Sequence, residues 1–267
     1  MNSLHPAWKK KRKIVIGMLH LPALAGSPRA QLSLGRIRDA VLRDADALAK
    51  GGVGGLMMEN FGDVPFYPAR VPEHVIAQMT ALACEIRRAV DLPLGINVLR
   101  NDGLGALAVA HAAQANFVRV NVLCGARVAD QGLIQGIAHE LLRERLRLGA
   151  AEVKIFADVD VKHSAALAER PLADEVDDLI ERGLADAIVV SGAGTGKATD
   201  PAKAQEVKRA AAETPVFIGS GITARSITDF LTCADGFIVG TTLKKSGVAA
   251  NAVDVGRVKE LMAMVER

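Results

Sequence analysis

Ile14-Val15-Ile16-Gly17-Met18-Leu19 is an unbroken apolar run that delivers a polar residue, His20, to its end, followed by a loop carrying Pro22, Gly26 and Pro28. Beyond the loop, Ile37, Val41, Ala45 and Leu48 recur at helical spacing until Gly51-Gly52 stops them. An apolar strand followed by an amphipathic helix is one βα unit of a parallel sheet covered on both faces.

The unit recurs along the chain. Gly55 to Met58 predicts a second strand ending on Glu59-Asn60, and Pro72 opens a helix whose inner face is Val75, Met79, Leu82 and Ile86. Further strands are predicted at Leu94 to Val98, Phe117 to Val122, Val153 to Asp160, Asp186 to Val190, Val216 to Ile218 and Gly236 to Val239. A helix carrying Leu133, Ile137, Leu141 and Leu142 is expected between the fourth and fifth, and a last helix from about Asp254. Eight such units predict an α/β protein with a single (β/α)₈ TIM barrel over residues 14–267, behind a basic N-terminal tail, residues 1–13. No linker or second domain is visible.

Composition agrees with that architecture. Half the residues are hydrophobic but only 3% aromatic, so the core is expected to be mostly aliphatic, which suits a parallel sheet covered on both faces. The net charge of +3 is small, and much of the excess sits in Lys9-Lys10-Lys11-Arg12-Lys13. That run reads as a solvated tail, with contact to an anionic surface as the alternative. No basic stripe with interleaved aromatics appears, which argues against a nucleic-acid partner. Cys84, Cys124 and Cys233 lack metal-ligand spacing and read as reduced thiols. No signal sequence or apolar run of membrane-spanning length is seen, so the expected location is cytoplasmic, with peripheral membrane association left open.

Barrels of this kind place chemistry on the loops after their strands. The candidate catalytic set is therefore His20, Glu59, Asn97, Asn121, Asp158, Lys162 and His163, all at or just past strand ends. In the fourth strand Val118 and Val120 want apolar cover from helices, so Arg119 and Asn121 should face the interior, where a buried Arg needs an anionic partner. The same parity puts Asp158 and Asp160 together near the top. Glu59, Asp158 and His163 suit acid–base work, while Asn97, Asn121 and Lys162 suit orienting or polarising a substrate. Phe61, Phe66 and Tyr67 cluster in one loop of a chain with seven Phe, one Tyr and one Trp, and read as a wall or lid, or as packing against a neighbouring loop or subunit.

Glycine marks the last three strand ends. Gly192, Gly194, Thr195 and Gly196 follow the sixth strand, Gly219, Ser220 and Gly221 the seventh, and Gly240 and Thr241 the eighth. Close backbone approach and grouped N–H donors make these a candidate phosphate seat, or simply tight turns. Ser191 to Lys197 is not a P-loop, because Ser191 stands where Gly is needed and Ala198 where Ser or Thr is needed. No cofactor is required by the sequence. A divalent metal is compatible with His20, Glu59, Asp158 or Asp160, and His163, although no ligand-spacing motif is present. Imine chemistry at Lys162 is the other variant.

Several strings also carry a resemblance. Gly17-Met18-Leu19-His20-Leu21-Pro22, Glu59-Asn60-Phe61-Gly62-Asp63, Pro93 to Asp102, Arg119-Val120-Asn121-Val122, Asp130-Gln131-Gly132, Phe156 to His163 and Gly219-Ser220-Gly221 resemble the BtpA/SgcQ family over nearly the whole chain after the basic stretch. The resemblance implies a single barrel and, for cyanobacterial members, a link to photosystem I biogenesis or stabilisation at the thylakoid surface. Other members are similar to nucleosidase-like or sugar-related barrel enzymes.

The expected function is an enzyme acting by acid–base chemistry on a small phosphorylated, sugar-like or nucleoside-like ligand, as an isomerase, lyase or glycosidic-bond hydrolase. Self-association into a homo-oligomer fits the apolar loop cluster. The alternative is a non-catalytic binding or assembly factor at a membrane surface.

Overall fold

The computed structural model describes residues 4–9, 13–192, 194 and 198–265. Eight parallel strands close on themselves: β1 (Ile14–His20), β2 (Gly55–Glu59), β3 (Leu94–Asn97), β4 (Phe117–Val120), β5 (Lys154–Val159), β6 (Ala187–Val190), β7 (Val216–Ile218) and β8 (Gly236–Val239). Each pairs with the next, and β1 pairs with β8 from Ile14↔Gly236 to Gly17↔Val239. The fold is a (β/α)₈ barrel.

Helices α1 (Leu34–Gly51), α2 (Glu73–Ala89), α3 (Gly103–Ala112), α4 (Ala138–Arg147), α5 (Leu172–Asp177), α6 (Pro201–Ala210) and α7 (Val255–Val265) surround the sheet. Helix α1 starts where Ser33 accepts a hydrogen bond from the Arg36 amide and stops at Gly52, whose φ of 93° reverses the chain. Between β7 and β8 the helix shrinks to one 3₁₀ turn, Ile227–Phe230. There the hydroxyls of Thr223 and Ser226 take each other's backbone amides, offering the chain an alternative to helical bonding.

The expected helix around Leu133 is corrected by the structure. Leu133 lies in an antiparallel hairpin, Ala126–Ala129 against Gly132–Gln135, which with Ser164–Ala166 forms a separate three-stranded sheet. The two-residue turn Asp130-Gln131 closes onto Gly132 at φ 93°, and Leu133 exposed beside Ile134 buried is the period of a strand. Only after Ile137 does the helical period begin, with Leu141 buried.

Side chains fill the barrel interior. Phe117, Phe156 and Phe217 pack in sequence, with ring centroids 4.5 Å and 4.9 Å apart, alongside Met18, Met57, Val189 and Ile238. Their lower end is sealed by the residues preceding β1. Leu4 and Trp8 are buried there, the Trp8 ring lies 6.0 Å from Phe117, and the indole N–H donates to the Gly54 carbonyl at 2.7 Å. The stretch read as a solvated tail thus contributes two core residues, while Lys10, Lys11 and Arg12 fall outside the described residues. Gly95 and Gly236 face Phe117 and Phe217, where a Cβ would strike the rings.

Candidate functional site

Sheet register stacks polar side chains above this aromatic core. His20 pairs with Glu59, Glu59 with Asn97 and Asn97 with Arg119, so four adjacent strands present one inward-facing polar layer at their C-terminal ends. Glu59 is 4% exposed and accepts a hydrogen bond from Asn97 Nδ2 at 2.7 Å on one oxygen. Its other oxygen lies 4.0 Å from His20 Nε2, and Phe61 stacks on the His20 ring with centroids 4.4 Å apart.

Asp158 sits one step above that layer. Arg119, 2% exposed, donates to it through Nε and, at 2.7 Å, through Nη2, and Asn121 Nδ2 donates to its second oxygen. The parity expectation for Arg119, Asn121 and Asp158 therefore corresponds to a buried, hydrogen-bonded ion pair. Asp160 does not join it. At φ 45° the chain leaves the strand, and Asp160 turns to Arg127 and Lys203, whose charges outweigh burial and lower its pKa.

Lys162 enters the mouth instead. One cavity of about 40 Å³ is lined by Met18, His20, Glu59, Arg119 and Lys162 below, and by Gly219-Ser220-Gly221 and Gly240-Thr241-Thr242 above. Arg100 Nη2 donates to the Lys162 carbonyl at 2.5 Å and pins that segment. His163, at φ 57° with an exposed side chain, is not part of this lining. Asn97, Asn121 and Asp158 support the cavity from its sides through Glu59 and Arg119.

The glycine-bearing ends divide likewise. Gly219, Ser220, Gly221, Gly240 and Thr241 form the rim. The Gly192 amide is already committed to Ser220 Oγ at 2.7 Å, tying the sixth loop to the seventh, and Gly194 is buried outside the lining. Thr195, Gly196 and Lys197 fall outside the described residues. Among the described residues no three His, Cys, Asp or Glu side chains are grouped to hold a metal ion. No helix among them is long and apolar enough to cross a membrane.

Beside the mouth, behind the Arg119–Asp158 pair, lies a second cavity of about 230 Å³ between the hairpin and α5. Asn121 and Asp158 form part of its lining, and Asn121 Oδ1 is buried with no hydrogen-bond partner. A third hollow, of about 340 Å³, has Phe66 and Tyr67 in its wall, so the aromatic loop separates: Phe61 serves the mouth and the other two serve the surface.

Electrostatics follow from crowding charges in a dry space. Burial pushes the His20 pKa from 6.5 down to about 4; Glu59 opposes the shift, and Lys244 and Lys162 reinforce it. Burial also lowers Lys162, with Arg119 and Arg100 adding repulsion against the pull of Glu59 and Asp158. Burial lowers Arg100, while for Arg119 it is overcome by Asp158 and the pKa rises.

His20 is therefore neutral at pH 7 in the folded chain, with a pH signature. The unfolded chain takes up this proton below about 6.5, the folded one only below about 4, so stability falls as pH drops through that window. The expected loss is about 3 kcal/mol by pH 4. Denaturant unfolding between pH 7 and 4 should show a shallower decline for His20→Asn; parallel declines would refute the assignment.

Alternation in the sequence does not single out Arg100 or Ser191, which donates no charge but accepts from Arg119 Nη2 at 3.3 Å. The signal available for Arg100 was its place in Leu99-Arg100-Asn101-Asp102, just past a strand end.

Comparison with known proteins places this arrangement in context. The model of the BtpA family matches residues 11–267. The chain is 45% identical over 253 residues to the photosystem I biogenesis protein BtpA of Synechocystis, covering 94% of this chain and 88% of that one. It is 44% identical over 256 residues to an uncharacterized protein of Thermococcus kodakarensis, covering 96% of each. Among solved structures, N-(5'-phosphoribosyl)anthranilate isomerase from Pyrococcus furiosus superposes with a TM-score of 0.56 at 11% identity, over 95% of this chain and 98% of that one, a likeness of fold.

Proposed function

The chain belongs to the BtpA family, and from that premise we propose that its barrel is an enzyme acting on a small phosphorylated metabolite by proton transfer. One observation carries the reading: Glu59, His20, Lys162 and Arg119 line the same small cavity as the glycine turns after β7 and β8. Phosphate-binding barrels use those two turns. Gly221, at φ 69°, and the Gly240-Thr241-Thr242 turn would seat the phosphate, while Arg119 and Lys162 balance its charge from below.

Glu59 is the proton-transferring group, since Asp158 has both oxygens engaged by Arg119 and Asn121 and His163 lies outside the cavity. Asn97 fixes the carboxylate, and the neutral His20 beside it can give or accept a hydrogen bond. Isomerisation or lyase cleavage next to a carbonyl needs such a base and cationic groups to hold the developing negative charge. Glycosidic-bond hydrolysis would use Glu59 as the acid. The phosphoribosyl compound in the structural neighbour's name supports this only as a barrel precedent.

The Synechocystis relative is named a photosystem I biogenesis protein, which favours a second reading, a non-catalytic assembly factor. An assembly factor needs an exposed docking patch, whereas buried charge gathered in a mouth is what catalysis uses.

A metabolite panel should decide. A phosphorylated compound at about a hundred times its dissociation constant is expected to stabilise the protein by about 2.7 kcal/mol, visible as a rise in melting temperature. Glu59→Gln should keep that shift and lose about 10²–10⁴-fold in turnover. Absence of stabilisation by every phosphorylated compound would overturn the reading.

A further inference from the structure

Lys162 differs from the other cations of the mouth. Arg119 is paired with Asp158, and Arg100 is bound to a backbone carbonyl, but among the described residues Lys162 has neither an ion pair nor a hydrogen bond from its side chain. It is half-buried and lines the cavity that Glu59 and the glycine rim share. Its backbone is fixed, by Arg100 from the loop after β3 and by the left-handed residues Asp160 and His163 on either side. The charged groups facing it come from β2 (Glu59), the β3 loop (Arg100), β4 (Arg119) and β5 (Asp158), with the neutral His20 on β1.

Guanidinium groups do not give up a proton at ordinary pH. Burial first, then repulsion from Arg119 and Arg100, lowers the Lys162 pKa against the pull of Glu59 and Asp158, so of these three cations only the amine can release a proton. Once a carboxylate in the same cavity takes its proton, an amine without a partner is a nucleophile, and Glu59 is placed to carry that proton.

We propose that Lys162 forms an imine with an aldehyde or ketone that also carries a phosphate group. This rests on the phosphate seat argued above. The Lys162 ammonium gives a proton to Glu59, and the freed lone pair forms a C–N bond as the carbonyl π bond breaks onto oxygen. One N–H proton passes to that oxygen, and Glu59 returns its own to the resulting hydroxyl, which leaves as water. One cationic nitrogen enters and one leaves, as a protonated imine that can draw electrons from the adjacent carbon. The small cavity admits the reacting end of such a ligand, with its phosphate held at the rim.

The test is reductive trapping of the native protein with glycolaldehyde phosphate and cyanoborohydride at pH 7, mapped by peptide mass spectrometry. Lys162 is expected to be labelled about tenfold or more ahead of exposed lysines, because the anchored phosphate raises the local concentration of the aldehyde. Inorganic phosphate should slow that labelling, and Lys162→Arg should abolish it while still binding phosphate.

Labelling spread over surface lysines with Lys162 spared overturns the imine, even if phosphate still stabilises the fold. Conversely, fast labelling of Lys162 by unphosphorylated glycolaldehyde, with no competition from phosphate, upholds the nucleophile but removes the phosphate seat. The two readings therefore fail separately.

Discussion

Replacing Asp158 with alanine is expected to cost about 3–5 kcal/mol of folding stability, the range for removing one partner of a buried ion pair. Arg119 and Asp158 are 2% and 4% exposed, and the carboxylate accepts from Arg119 and from Asn121 Nδ2. Without it a guanidinium is left in a nearly dry interior, where Ser191 Oγ at 3.3 Å from Nη2 is a weak substitute and Glu59 attracts it without a hydrogen bond among the described residues. The charge, more than the lost contacts, sets the penalty. Replacing both partners by apolar residues, as Arg119→Met with Asp158→Leu, should therefore lose less than Asp158→Ala alone. Urea titrations with an unchanged midpoint for Asp158→Ala, or a worse loss in the double variant, would show that the pair is not a closed unit.

A comparable loss, about 3–5 kcal/mol, is expected for Trp8→Ala. Trp8 is 1% exposed, closes the lower end of the barrel against Phe117 and Phe217, and donates its indole N–H to Gly54. Alanine would open a cavity beneath the aromatic stack and leave the Gly54 carbonyl without that donor. Far-UV circular dichroism in urea is the suitable readout, since the chain has one Trp and the variant has no tryptophan emission to follow. A midpoint within error of the parent chain would mean that the first residues are a dispensable tail after all.

How legible the molecule was in its sequence depended on where regular backbone ended. Strand alternation placed Arg119, Asn121 and Asp158 together, because period two holds while the chain is extended and Val118 and Val120 demand apolar cover. The same rule failed two residues later. Asp160 and His163 adopt left-handed φ, which rotates the chain so that Lys162 faces inward while Asp160 meets Arg127 and Lys203. No alternation rule foresees that. Leu133 was ambiguous for another reason: one leucine near Ile137 and Leu141 fits a helical period, and only Gly132 at φ 93° and the pairing with Val128 reveal the hairpin. Trp8 was obscured by five basic neighbours whose charge dominates the reading of the stretch, although burial is decided by one ring. Gly192 shows a further limit, since composition marks a glycine-rich turn without saying that its amide is already used by Ser220.

The pairing of β1 with β8 ties the first strand of the barrel in chain order to its last. Trp8 likewise finds Phe217 only after more than three-quarters of the chain has been synthesised. Until then a nascent chain holds an unmatched sheet edge and an uncapped greasy lumen, both of which invite other chains. A bulky group joined just before Leu4, against the floor of the barrel, would interfere with ring closure more than one joined after Val265.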